Sequence, residues 1–138
     1  MADEHRLLKY CALLYALGLA LHTADHLRRG LDAVTGQVLW AGNLSTAIGI
    51  TAVVLVIIGH RFGPMLAAVT GIPVAVGVAA VHLLPKWSAL SDSFLGAHNT
   101  GVTAFSWTVV LIEIVGAVAM GIAGLAIVRE QRGTAIAT

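Results

Sequence analysis

The chain has 138 residues, of which 58% are hydrophobic and only 11% are charged. A typical soluble domain carries about a quarter charged residues, so this composition cannot cover a soluble globule and instead predicts a membrane protein. The formal net charge is +1 and there is no basic stripe or tail, which excludes a nucleic-acid partner. Cys11 is the only cysteine, so an intrachain disulfide and a cysteine-based zinc site are excluded as well.

Four apolar runs are each long enough to cross a hydrocarbon core of about 30 Å as a helix. They cover residues 7–27, 38–59, 65–84 and 102–128. Their hydrophobicity is continuous rather than alternating, which favours helices, and helices satisfy every backbone polar group within lipid. The expected fold is all-α: a polytopic membrane protein with a single domain, residues 1–138, folded as an antiparallel bundle of four transmembrane helices. The lipid bilayer is its expected partner.

The connections between these runs predict how the helices follow one another. The short turn at 60–64 contains Gly63 and Pro64, which makes the second and third helices antiparallel neighbours. Residues 85–101 form the longest loop, and residues 133–138 are expected to be a disordered tail. The first run is longer than a signal-peptide core, so we expect it to remain as a helix. Lysine and arginine are in excess on the side of the termini, which predicts a cell-membrane protein with both termini in the cytoplasm.

Four of the six histidines fall at the end of this bundle that is expected to face outside the cell. His22 and His26 stand four residues apart near the end of the first run, so both imidazoles lie on one helix face. His82 lies near the end of the third run, and His98 lies in the loop that follows. Histidines at this spacing can bind one metal ion. We therefore take all four as candidate metal ligands. The sequence does not identify the cofactor, but it favours a divalent metal ion over haem b.

Polar residues in the same half of the bundle extend this candidate site. Glu113 lies close to mid-bilayer, where an ionised carboxylate is costly unless it is paired or hydrated. No lysine or arginine lies in the middle of any span, so histidines, water or a metal are its available partners. We include Glu113 with Asn43, Ser106 and Asp25 as candidate ligand-binding or proton-binding residues. The sequence identifies no catalytic residue.

Four functions fit this arrangement. The first is a binding or accessory membrane protein that holds a metal ion or small ligand, alone, as a homo-oligomer or within a larger membrane complex. The second is a membrane-embedded hydrolase that uses a metal-activated water. The third is a small proton-coupled transporter that uses Glu113. The fourth is a bundle in which two histidines on different helices, such as His22 and His82, ligate haem b. The lack of an H-E-x-x-H motif favours binding over catalysis.

Each histidine alone also has a structural explanation, because an imidazole near a helix C-terminus interacts favourably with the helix dipole. The functional interpretation therefore depends on one feature. His22, His26, His82 and Glu113 must face a common interior space rather than lipid.

Overall fold

The computed structural model describes residues 2–96 and 101–136. These residues form four long α-helices and one short 3-10 helix, and they include no strand. The long helices are α1 (Ala2–Arg29), α2 (Gly36–Ile57), α3 (Gly63–His82) and α4 (Ala104–Ile136), and the 3-10 helix covers Leu31–Ala33. All four long helices have the length and apolar composition needed to span a membrane. The predicted all-α bundle of four membrane helices is therefore confirmed.

The last helix is longer than its apolar run predicts. α4 continues to Ile136, so the first part of the tail that we expected to be disordered is helical. The polar residues 129–132 are good helix formers, and Gly133 weakens a helix without ending it. Residues 137–138 of that tail lie outside the described residues.

α4 is the central helix, and it approaches α1 and α3 closely along small residues. Gly116 of α4 lies so near α1 that an added Cβ would be 2.7 Å from the backbone nitrogen of Tyr15. Gly71 of α3 faces α4 in the same way, since its Cβ would be 2.7 Å from the Cα of Gly121. In lipid, the burial of apolar surface does not drive helices to associate. Small residues instead allow the close van der Waals packing that holds the helices together. These contacts fix α1, α4 and α3 as one tightly packed layer.

α2 is attached differently at its two ends. Its second half packs into the bundle through the buried residues Gly49, Ala52 and Val56. In its first half only Val38 is buried. Residues from Val38 to Ile48 instead line a cavity that lies between α1, α2 and α3.

We call the end at which α1 and α3 finish, and α2 and α4 begin, the histidine end of the bundle. The loop after α3, residues 83–96, folds back there onto the last turn of α3. The backbone N–H of Asp92 donates to the carbonyl of Val81 at 3.1 Å, and that of Phe94 donates to the carbonyl of His82 at 2.9 Å. Asp92 and Phe94 are buried. The 83–96 loop therefore covers the end of α3 and brings a carboxylate next to it.

Candidate metal centre

Three histidines from two helices meet at the histidine end. His22 and His26 lie one turn apart in α1, and His82 is the last residue of α3. The ring centre of His22 lies 4.7 Å from the ring centre of each of the other two, and those two are 5.6 Å apart. One nitrogen from each ring lies within 4.8 Å of the others, so the three could hold one metal ion. The structure thus brings together three of the four histidines singled out by the sequence.

Glu113 joins this cluster through His22. Both side chains are almost fully buried, and Nδ1 of His22 is hydrogen-bonded to Oε2 of Glu113. When Glu113 is ionised, its carboxylate only accepts hydrogen bonds, so Nδ1 of His22 donates and Nε2 carries the lone pair. Nε2 is buried and has no hydrogen-bond partner among the described residues. His22 is therefore oriented with an unused electron-pair donor inside the protein.

A glycine explains why Glu113 can reach His22 from the central helix. A Cβ at Gly18 would lie 2.6 Å from the backbone nitrogen of Glu113, so a larger residue would push α1 and α4 apart at this level. His22 follows Gly18 by four residues and therefore lies on the same face of α1. The close approach at Gly18 directs the carboxylate toward the imidazole one turn along.

His82 is held in a similar way by the 83–96 loop. Its Nδ1 donates to the backbone carbonyl of Asp92 at 3.1 Å, and a carbonyl only accepts, so Nε2 carries the lone pair. The carboxylate of Asp92 lies 3.5 Å from the same Nδ1 and 4.0 Å from Nδ1 of His26. Nδ1 of His26 is buried without a hydrogen-bond partner among the described residues.

Asp92 is itself fixed by Arg29, at the end of α1. Arg29 donates two hydrogen bonds to the carboxylate, at 2.6 and 2.7 Å, and both side chains are buried. Burial raises the pKa of Asp92, but the hydrogen bonds and charge of Arg29 outweigh it and hold that pKa below its usual value. The sequence analysis missed this pair. The only signal was a single acid in the loop after α3, and 63 positions separate Asp92 from Arg29.

Asp25 and Ser106, two of the candidate residues, belong to a neighbouring network around Arg28. Arg28 donates to Asp25 at 2.9 Å and to Ser106 at 3.2 Å. The hydroxyl of Ser106 also accepts from the backbone N–H of Thr103 at 3.1 Å. A side chain in the first turn that reaches back to the residue before the helix is a capping interaction. These contacts hold the start of α4 against the end of α1, and among the described residues no hydrogen bond joins Ser106 to a histidine.

The two remaining candidates differ in their positions. Asn43 of α2 is exposed, but it lines the same cavity as the three histidines. His98 lies outside the described residues, so its role as a metal ligand stays a prediction.

The cavity has a volume of about 730 Å³ and adjoins the cluster directly. His22, His26, His82 and Glu113 form part of its wall, and most of the remaining lining is apolar. A metal ion bound by the three histidines would therefore have one side open to this cavity.

The charges around the cluster favour a cation. Asp92 is paired with Arg29, and Asp25 is paired with Arg28, so these four side chains largely neutralise one another. Glu113 adds a buried carboxylate on the remaining side, hydrogen-bonded to a histidine. A buried carboxylate is stabilised by a nearby positive charge, which a metal ion on the histidines would supply.

The arrangement does not fit a haem held between His22 and His82. Two axial histidines bind on opposite faces of the porphyrin, so the whole macrocycle must fit between their rings. These two rings are in edge-to-face contact with their centres 4.7 Å apart. There is no room for a haem between them.

No protein-family model matches the chain, and neither a curated protein nor a solved structure shows detectable similarity to it.

Proposed function

We propose that this protein is a multi-pass membrane protein that binds one divalent transition-metal ion at His22, His26 and His82. The observation that carries this proposal is the convergence of three imidazole nitrogens from two helices within 4.8 Å. Imidazole is a good ligand for zinc, copper, iron and nickel.

The hydrogen bonds on the far side of the rings support a metal site over a structural cluster. A metal-binding histidine almost always donates its other ring N–H to a carboxylate or a carbonyl, which fixes the ring and makes it a stronger ligand. His22 has this contact with the carboxylate of Glu113, and His82 has it with the carbonyl of Asp92. Histidines that only interacted with a helix dipole would not need a hydrogen-bond acceptor at Nδ1.

Zinc fits the ligand set well. Three protein ligands and an open position are typical of catalytic zinc sites, whereas structural zinc sites are closed by four protein ligands. Nitrogens around a tetrahedral zinc lie about 3.3 Å apart, so the rings would move together by roughly 1–2 Å. Rotation about the histidine side-chain bonds supplies a movement of this size.

We further propose that the histidine end faces the outside of the cell and that both termini lie in the cytoplasm. The excess of lysine and arginine at the opposite end supports this orientation. A cysteine in place of the exposed Lys86 should then react with a membrane-impermeant thiol reagent applied to whole cells. Reaction only after the cells are opened would reverse the orientation.

The metal proposal is tested by measuring bound zinc. Protein purified in mild detergent, loaded with zinc and freed of excess ion should retain about one zinc per chain by mass spectrometry. His82→Ala should lose that zinc. His60→Ala is the matched control, because His60 is exposed in the turn at the opposite end, beside Phe62. Helix content from circular dichroism and elution from gel filtration show whether each variant is folded. Wild-type protein without zinc, or a folded His82→Ala protein that keeps it, would contradict the proposal.

A further inference from the structure

The cavity beside the histidines is longer than a metal site requires. Along α3 its lining runs from His82 to Val69, which is roughly 20 Å at a rise of 1.5 Å per residue. One end is therefore at the histidine end of the bundle, and the other lies deep within the membrane-spanning part of α3.

The ionisable side chains of the lining, the three histidines and Glu113, lie in one group, and most of the other lining residues are apolar. The aliphatic side chains deeper in the membrane are Leu44, Ile48, Val69, Val74 and Val78, with Ser45, Thr46 and Thr70 as the polar exceptions. The hydroxyl of Thr70 already donates to the carbonyl of Leu66 at 2.7 Å. A molecule that matches this lining has a polar group at one end and a long apolar portion.

We propose that the cavity binds a long-chain fatty acid or an amphiphile with a similar anionic oxygen head group. Its hydrocarbon chain lies between α2 and α3, and its head group meets the metal at the histidines. The head-group contact rests on the proposed metal site, whereas the position of the chain rests on the cavity itself. A carboxylate oxygen is a normal ligand of zinc, so it can occupy the side that the histidines leave open.

Because the protein lies in lipid, the chain and the head group are expected to contribute unequally to the binding affinity. Lipid tails are as apolar as the aliphatic walls, so moving a chain from the bilayer into the cavity gains little free energy. The contact between head group and metal must then supply most of the binding energy. Binding should therefore depend on the metal, and it should fail when the space for the chain is filled.

Two glycines in the wall allow the cavity to be filled without damage to the bundle. Gly42 of α2 and Gly77 of α3 both line the cavity, and a Cβ on either would meet no atom within 4 Å. A tryptophan at either position should occupy the cavity and leave the helix contacts intact. Gly133 of α4 also has free space around it but does not line the cavity, so Gly133→Trp is the matched control.

The probe is stearic acid with a nitroxide spin label near its carboxylate or, in a second sample, near its methyl end. With zinc-loaded wild-type protein in detergent, we expect an immobilised component in the electron paramagnetic resonance spectrum. That component should disappear in Gly42→Trp and Gly77→Trp and remain in Gly133→Trp. When copper replaces zinc, the label near the carboxylate should be broadened much more than the label near the methyl end.

Zinc content measured on the same samples separates this inference from the metal site. Wild-type protein that holds zinc but does not immobilise the probe overturns the inference and leaves the proposed function standing. The inference is also overturned if Gly77→Trp keeps both zinc and the immobilised component, or if copper broadens both labels equally. Wild-type protein that binds no zinc overturns the proposed function. Immobilisation of the probe in protein without zinc would contradict the contact between head group and metal, and its loss in Gly77→Trp would then support only the position of the chain.

Discussion

The two faces of α3 differ sharply in how they are packed. One face lies against α4 through Gly71, where an added Cβ would come within 2.7 Å of the neighbouring backbone. The other face turns toward the first half of α2 across a cavity, and a Cβ on Gly77 would meet nothing within 4 Å. These two glycines are only six residues apart in the same helix. A small residue in a membrane helix can therefore mark either a close contact or an open wall.

The closely packed helices hold the metal-binding side chains, whereas the loosely packed first half of α2 borders the cavity. The packed layer of α1, α4 and α3 carries all three histidines of the cluster and Glu113. A metal site needs ligands on rigid elements, because its geometry tolerates little movement. The first half of α2 contributes none of these groups and instead lines the cavity. The bundle thus combines a rigid set of metal-binding residues with a cavity that has room for a bound molecule.

The largest expected effect is on the free energy of unfolding, when each of these two glycines is replaced in turn by leucine. Gly71→Leu forces a side chain into the backbone of α4 and should lower the free energy of unfolding by about 3 kcal/mol or more. Gly77→Leu adds the same side chain to the same helix in open space and should change it by less than about 1 kcal/mol. Unfolding by a denaturing detergent, followed by circular dichroism, measures both. Equal losses in the two variants would show that the two faces of α3 are packed alike.

A smaller effect is expected when the support of His22 is weakened. Glu113→Gln keeps the size of the side chain but removes the carboxylate that orients Nδ1. Loss of such a partner typically lowers metal affinity 10–100-fold, about 1.4–2.7 kcal/mol. Competition with a chelator of known affinity measures this change. Glu130→Gln, the same exchange in the same helix at the opposite end, is the control. Unchanged zinc affinity in Glu113→Gln would remove Glu113 from the metal site.

The smallest effect tests the separate role of Ser106. Ser106→Ala removes the hydroxyl that accepts from the backbone of Thr103, so it should lower the free energy of unfolding by about 1 kcal/mol. Zinc affinity should not change, since no hydrogen bond joins this hydroxyl to His22, His26 or His82. Thr108→Ala serves as control, because Thr108 is exposed and its hydroxyl donates to the carbonyl of Ala104, one turn before it in α4. Weaker zinc binding in Ser106→Ala would place Ser106 in the metal site after all.

Part of this arrangement could be predicted from the sequence. The four spans follow from the length of each apolar run, and the spacing of His22 and His26 puts them on one helix face. The depth of Glu113 identified it as a buried carboxylate that needed a partner. Each of these conclusions depends on local features of one segment.

The pairing between segments could not be predicted in the same way. Glu113 and His22 are 91 positions apart, and no pattern in the sequence shows that Gly18 brings their helices together. Asp92 was missed for the same reason, since its burial results from the 83–96 loop folding onto α3. Ser106 was assigned to the site from its depth alone, whereas its hydroxyl is used to cap α4.

X-ray absorption at the zinc edge tests the central claim most directly, because it counts the ligands of the bound ion. Zinc-loaded wild-type protein should show three imidazole nitrogens at about 2.0–2.1 Å, with one oxygen ligand in the fourth position. His26→Ala should reduce the number of imidazoles to two. A zinc ion surrounded only by oxygen ligands, or an imidazole count that His26→Ala leaves unchanged, would contradict the three-histidine site.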